Sequence, residues 1–244
     1  MRDWQGKRYW LVGASEGLGK ALAGHLSRAG CEVILSARGR DGLDAVAAGL
    51  PGKAHVVPMD ITDDASVAEA AGQVGQIDGL VLLAGVYWPM KTQAWDAEKA
   101  VAMADVNFTG FVRVLGHVVP DFVARDSGHI VITSSLTGFR GLPGSIGYTA
   151  AKAGTMSLAE CMHADLRNTG VAVQVVNPGF VRTRLTDKND FRMPQIMEPE
   201  AAAREIYEHM LDDSFKKSFP APLSWLFRLG QFLPDWLYYR TFGR

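Results

Sequence analysis

The chain has 244 residues, 48% hydrophobic and 21% charged, which is ordinary globular material and enough for one large core. Its 25 basic and 26 acidic side chains nearly cancel, excluding an overall field that would recruit nucleic acid or an acidic surface. Cys31 and Cys161 are too few for a disulfide framework and lack metal-ligand spacing, so both thiols are expected buried in a reducing cytoplasm.

No apolar run follows a basic start in residues 1–7, so no signal peptide is expected. The longest apolar segment, near 79–90, carries glycines and falls short of the roughly 18 residues a bilayer requires. A cytoplasmic protein without a spanning segment is the expectation.

In chain order, apolar runs of strand length alternate with stretches of helical periodicity. Strands are expected near 9–13, 32–37, 54–59, 79–83, 129–134 and 171–176. Helices are expected near 17–29, 42–48, 64–72, 95–126 (as two helices), 148–168 and 199–211. This order predicts an α/β fold: a single-domain, Rossmann-type, doubly wound parallel sheet with helices on both faces. Right-handed crossovers would gather the carboxyl ends of the strands along one edge, where ligands bind in open sheets.

The first strand runs into Gly13-Ala14-Ser15-Glu16-Gly17-Leu18-Gly19 and then a helix. Glycines there allow a tight turn and close backbone approach to a pyrophosphate, whose charge meets the helix amides. The spacing differs from the common dinucleotide fingerprint, which has two residues between its second and third glycines. Farther on, Tyr148 and Lys152 stand four residues apart, on one face of a helix. A cation beside a phenol favours the phenolate and turns tyrosine into a usable general acid or base.

Taken together, the glycine turn and the Tyr148/Lys152 pair resemble the short-chain dehydrogenase/reductase family. Ser135, thirteen residues before Tyr148, matches the family's serine, and Val106-Asn107-Phe108-Thr109-Gly110 is similar to the segment carrying its asparagine. The resemblance implies catalytic roles for Asn107, Ser135, Tyr148 and Lys152. Ser135 would hold the substrate oxygen, Tyr148 would exchange its proton, and Lys152 would depress the tyrosine's pKa and hold the nicotinamide ribose. Asn107 would support a water linking Lys152 to solvent. Cofactor contacts are implied at Gly13, Ser15, Glu16, Gly17, Leu18 and Gly19 of the turn, and at Ala84 and Gly85 after the fourth strand. They are also implied at Pro178, Gly179, Val181 and Thr183 after the sixth, with Val181 using its backbone and Thr183 meeting the phosphates. Asp60 and Ile61 match the family's adenine contact, although Asp60 also suits a helix cap. The chain departs from the family pattern at Val12, where threonine is usual, and at Leu82-Leu83, where two asparagines are usual.

Arg38, at the end of the second strand and with no preceding aspartate, favours NADP over NAD. Against this, Glu16 occupies a turn position where many NADP users are basic, and it would either repel the 2′-phosphate or pair with Arg38. NAD therefore stays open.

The expected reaction is hydride transfer between nicotinamide and a small, apolar carbonyl compound or secondary alcohol, in a homodimer or homotetramer. An inactive nucleotide-binding regulator and a peripheral membrane protein with a lipid-like substrate are the alternatives. Candidate substrate walls are Trp88, Phe139, Leu142, Phe191 and Met193, with Arg140 and Arg192 offering an acidic group a partner. Residues 1–213 are expected to form the catalytic domain, with a substrate loop near 183–198. Residues 214–244 would add a last strand at 215–219 and a tail rich in aromatics and in Lys216, Lys217, Arg228, Arg240 and Arg244. Basic and aromatic residues together fit a membrane surface, but Pro220, Pro222 and Pro234 break any long amphipathic helix, so packing that buries the rings is preferred. The histidines show no ligand pairing, and no metal is expected.

Overall fold

In the central strands, side chains of alternate residues fall on opposite faces, and here both sets are apolar. Trp10, Val12, Ile34, Leu80, Leu82, Ile130 and Ile132 enter one buried cluster with Phe111 and Phe122. Tyr9, Leu11, Val33, Leu35, Val81 and Val131 enter the other, with Leu22, Leu26 and Ile206. A sheet apolar on both faces needs helices on both, and this sets the architecture. The computed structural model describes residues 2–189 and 193–242. Phe191 and Arg192 of the expected substrate wall, and Arg244 of the tail, lie outside the described residues.

Seven parallel strands run in the order β3-β2-β1-β4-β5-β6-β7. They are β1 (Arg8–Val12), β2 (Glu32–Ser36), β3 (Ala54–Val56), β4 (Gly79–Leu82), β5 (Gly128–Thr133), β6 (Val171–Pro178) and β7 (Lys216–Phe219). The helices between them are α1 (Gly17–Arg28), α2 (Arg40–Ala48), α3 (Asp64–Val74), α4 (Ala97–Ala104), α5 (Gly110–Ala124), α6 (Ile146–Leu166) and α7 (Pro199–Met210). Two more, α8 (Ala221–Gly230) and α9 (Asp235–Phe242), follow β7. Among the described residues no helix is long and apolar enough to cross a membrane.

The expected elements are present, with instructive differences at their ends. The third strand stops at Val56 because Pro58 has no amide to donate, although Val57 N and Met59 N still bond Leu35 O and Ala37 O at 3.0 Å. The sixth strand runs on to Pro178 because β7 pairs beside it, Val175 to Lys216 through Pro178 to Phe219. The stretch at 95–126 is two helices, but no loop divides them: a π-helical turn at Asp105–Thr109 joins α4 to α5. Asp63, not Asp60, caps α3, accepting from Ala65 N at 2.8 Å and Ser66 N at 3.3 Å. Cys31 is buried as expected, whereas Cys161 is exposed, on the outward side of α6.

The glycine turn is held by backbone rather than by the side chain that Val12 lacks. Gly13 N and Ala14 N both donate to Ser36 O, at 2.7 and 3.1 Å, and Leu83 N donates to Val12 O at 2.8 Å. Gly13 sits at φ +98, and a Cβ there would collide with the backbone of Ala84. Gly13→Ala combines an unfavourable φ with overpacking against main chain, so we expect it to destabilise the protein by about 2 kcal/mol or more, read as a fall in the urea midpoint.

Candidate active site

All the strands point their carboxyl ends to one edge, and a cavity of about 1110 Å³ opens there. Every residue of the expected cofactor set lines it: the turn from Gly13 and Ser15 to Gly19, Arg38, Asp60, Ile61, Ala84, Gly85, Tyr148, Lys152, Pro178, Gly179, Val181 and Thr183. Ser135 lines it too. Asn107 does not, and is wholly buried beneath the site.

The turn's geometry suits an anionic, flat-lying group. The first turn of α1 carries no acidic side chain, and Glu16 makes no side-chain capping bond, so the leading amides meet no side-chain acceptor. A Cβ on Gly19 would strike the carbonyl of Gly13, and one on Gly17 (φ +51) would come within 2.9 Å of Thr183 Cγ2. The turn is therefore closed by its own backbone at Gly19 and by the Thr183 side chain at Gly17. Thr186 fixes Thr183: its hydroxyl donates to Val181 O at 2.8 Å and Thr183 O at 2.9 Å and accepts from Thr183 N at 3.0 Å.

Glu16 does not pair with Arg38. Arg184 takes it instead, Nε donating to Oε1 at 2.6 Å across the slot. Arg38 is exposed at the cavity's far end, near enough for its charge to act on Asp60. Burial pushes the Asp60 carboxyl up. Bonds from the Thr62 amide (2.9 Å) and hydroxyl (2.7 Å), with the charges of Arg38 and Arg113, outweigh it and hold the group below its ordinary value.

The reacting end rests on Asn107. Its Nδ2 donates to Val86 O at 2.8 Å and Met103 O at 2.7 Å, and its Oδ1 accepts from Val86 N at 3.1 Å. Its own carbonyl accepts from Thr155 Oγ1 at 2.9 Å. Ser134 Oγ donates to Lys152 O at 2.7 Å, so β5 and α6 are joined beside the site. Ser135 and Tyr148 share a side-chain hydrogen bond, and Tyr87 stands edge-on to Tyr148 at 5.2 Å between ring centroids.

The electrostatics differ from the expectation that Lys152 depresses the tyrosine. Burial drives Tyr148 up to about 12, against the Ser135 hydrogen bond, with Tyr87 adding to the rise. Lys152 Nζ donates to Thr133 O at 2.8 Å and lies 5.8 Å from the Tyr148 ring centroid, and burial brings it down to about 7. Burial thus acts on both groups, and no lowering of Tyr148 by Lys152 offsets it.

The substrate wall also departs from expectation. Of its candidates, Leu142 lines the cavity. Trp88 faces a separate shallow cleft, and Phe139 lies 5.8 Å from Lys216 Nζ. Met193 Sδ accepts from Asn189 Nδ2 at 3.2 Å. Arg140 is not available to a substrate acid. Its guanidinium donates to Leu233 O at 2.5 Å and to Gly230 O at 3.3 Å, pairs with Asp235, and lies 4.0 Å from the centroid of Tyr238. Sequence reasoning missed Tyr87, Met90, Leu185, Leu223 and Phe227, all of which line the cavity. The last two were accessible in principle, since they stand four apart on one face of α8.

A family model described as short chain dehydrogenase matches residues 7–193. The chain belongs to that family. An uncharacterized oxidoreductase of Myxococcus xanthus (strain DK1622) is 35% identical over 237 residues, 93% of each chain. A 3-oxoacyl-(acyl-carrier-protein) reductase of Thermotoga maritima is 33% identical, over 75% of this chain and 78% of its own. A short-chain dehydrogenase from Sphingobium yanoikuyae, solved in complex with NADPH, superposes with a TM-score of 0.82 at 25% identity over 88% of both chains. For a short-chain dehydrogenase, Leu82 and Leu83 stand where asparagines are usual; Leu82 here enters one core cluster and Leu83 packs against the other.

Lys152 supplies a stability test. Its folded pKa, about 7, lies below the ordinary lysine value of 10.5. Above 10.5 both states are neutral and nothing is lost. Between the two values the unfolded chain binds a proton that the folded chain does not, so stability falls as pH drops toward 7. Lys152→Met removes this term. The variant's Tm relative to the parent should therefore be highest near pH 7 and decline steadily toward pH 10 in a calorimetric series.

Proposed function

We propose that this oxidoreductase moves a hydride between NADP and an apolar ketone, aldehyde or secondary alcohol. One observation carries the reading: a single cavity joins the glycine turn and Arg38 at one end to Ser135, Tyr148 and Lys152 at the other. The fit favours a dinucleotide. The Gly13–Gly19 turn and Thr183 would hold the pyrophosphate, Asp60 and Ile61 the adenine, and Arg38 the 2′-phosphate. Lys152 would hold the nicotinamide ribose, and the backbone of Val181 the carboxamide. Bound there, the cofactor supplies the hydride, and the protein supplies position and a proton.

The protein's part follows from the pKa order. A phenol near 12 remains protonated at neutral pH and can act as the acid when a carbonyl is reduced. The Ser135 hydroxyl, bonded to Tyr148, marks the point where substrate oxygen enters and is held as charge develops on it. Lys152, poised near 7, passes a proton back toward Tyr148 under physiological conditions. Asn107 acts as a positioning residue, through Val86 and Thr155. Around this polar pair the wall is apolar, with Tyr87, Met90, Leu142, Leu223 and Phe227. The NADPH complex of the Sphingobium yanoikuyae relative supports the choice of dinucleotide.

Tyr148→Phe should lower turnover of a ketone panel by roughly 10²–10⁴-fold while cofactor binding, followed by NADPH fluorescence, changes little. Unchanged turnover would refute the mechanism. Loss of the Arg38 cation should raise KM for NADPH in Arg38→Ala by about ten-fold or more and leave KM for NADH nearly unchanged.

A further inference from the structure

Helices α8 and α9 are apolar on both sides. On the inner side Leu223 and Phe227 line the cavity, while buried Tyr238 donates its hydroxyl to Gly141 O at 2.9 Å. The outer side of such an arm should be polar if it meets only water. Instead Trp225, Leu226, Leu229, Phe232, Trp236 and Tyr239 are between 50% and 79% exposed. Of the rings expected to be buried by packing, Tyr238 is, while Trp225, Phe232, Trp236 and Tyr239 are not, within this chain. Trp225 and Leu229 share a face of α8, Trp236 and Tyr239 share a face of α9, and Phe232 lies in the link between the helices.

Charge narrows the choice of occupant. The arm's acid, Asp235, is taken by Arg140. Arg228, 4.8 Å from the Trp225 ring centroid, and exposed Arg240 remain. The neighbouring Lys216 and Lys217 are matched by Glu160 and Glu205. A symmetric contact between two copies would bring the arginines of both arms together with no arm carboxylate to meet them. A surface of anionic headgroups matches both features: tryptophan, tyrosine and leucine enter the interface, and arginines meet lipid phosphates.

We propose that the outer face of α8 and α9 docks the protein on an anionic lipid surface. Docking sets Leu223 and Phe227, on the opposite side of α8, between bilayer and cavity, so the substrate class would be long-chain carbonyls or alcohols dissolved in lipid. That last clause rests on the hydride-transfer reading above; the docking does not.

Flotation of the full chain with phosphatidylcholine vesicles, with and without phosphatidylglycerol, tests it. Binding should require phosphatidylglycerol and weaken with salt. Arg228→Gln with Arg240→Gln should lower the partition by roughly thirty-fold, and Trp225→Ser with Trp236→Ser should abolish it. These side chains lie outside the cavity, so turnover of a small soluble ketone should be unchanged in both variants, showing that the fold is intact. Absence of binding, equal binding to both vesicles, or a dimer in light scattering that the tryptophan variant dissolves would overturn the proposal. Vesicle binding without faster turnover of a long-chain ketone over a short one would overturn the substrate clause alone. Vesicle binding with no carbonyl turned over would instead count against the hydride-transfer reading.

Discussion

The amide side chain of Asn107 is the constraint on which the site depends. It is wholly buried, and it satisfies both the amide and the carbonyl of Val86, in the loop leaving β4. Its backbone carbonyl takes the Thr155 hydroxyl, which also donates to Ala151 O, and so reaches α6 one turn beyond Tyr148 and Lys152. The π-helical turn at Asp105–Thr109 sits at this junction. An extra residue per turn there redirects the chain from α4 to α5, and such turns concentrate at functional sites. The Asn107 side chain thus ties the loop after β4 to the end of α4, and its backbone carbonyl ties the same junction to α6. An apolar residue of the same size would remove both bonds to the half-buried Val86 main chain.

Proximity and burial act in opposite directions on Tyr148, and their relative size decides the protonation state. A cation near a phenol lowers its pKa only if the cation stays charged. Lys152 has its ammonium against Thr133 O and the Phe111 ring, 5.1 Å from the centroid, with no carboxylate partner among the described residues to balance desolvation. Burial therefore acts on both groups at once: it raises the acid and lowers the base. Burial favours the neutral phenol, which can deliver a proton, while a lysine near 7 is partly protonated at neutral pH and its ammonium form can replace that proton. Spacing along a helix identifies such a pair but carries no information about its dielectric surroundings.

That distinction also explains what could be read from the sequence. Central parallel strands are buried on both faces, so their apolar runs stand out, and the turns after them carry the glycines and small polar residues that ligands require. The edge where the cavity opens was legible for this reason, and the residues expected there, Arg38 and Thr183 included, line it. Asn107 was legible only as a position, because its bonds to Val86 and Thr155 are tertiary. The substrate wall was largely illegible. Arg140 looked like a substrate contact, yet its partners are Gly230 and Leu233, some ninety residues later, where a cation meets the carbonyl end of α8. Cys161 shows the same limit in reverse, since composition suggests burial for a cysteine but cannot tell which face of α6 it occupies.

Glu16 poses the remaining electrostatic question, since a carboxylate at an anion-binding turn opposes its own ligand. Arg184 resolves it geometrically rather than energetically. Both side chains are largely solvated, 44% and 76% exposed, so their pairing contributes on the order of 0–1 kcal/mol to stability. Its effect lies in the field: the pair is nearly neutral from a few ångströms away, and it spans the slot from the glycine turn to the segment carrying Thr183. Had Glu16 paired with Arg38 instead, the cavity would have lost the exposed cation at its far end. With Arg184 engaged, Arg38 has only the weaker opposition of Asp60, whose carboxylate is already occupied by two bonds from Thr62. The positive end of the cavity is preserved because the negative charge at the glycine turn is answered locally.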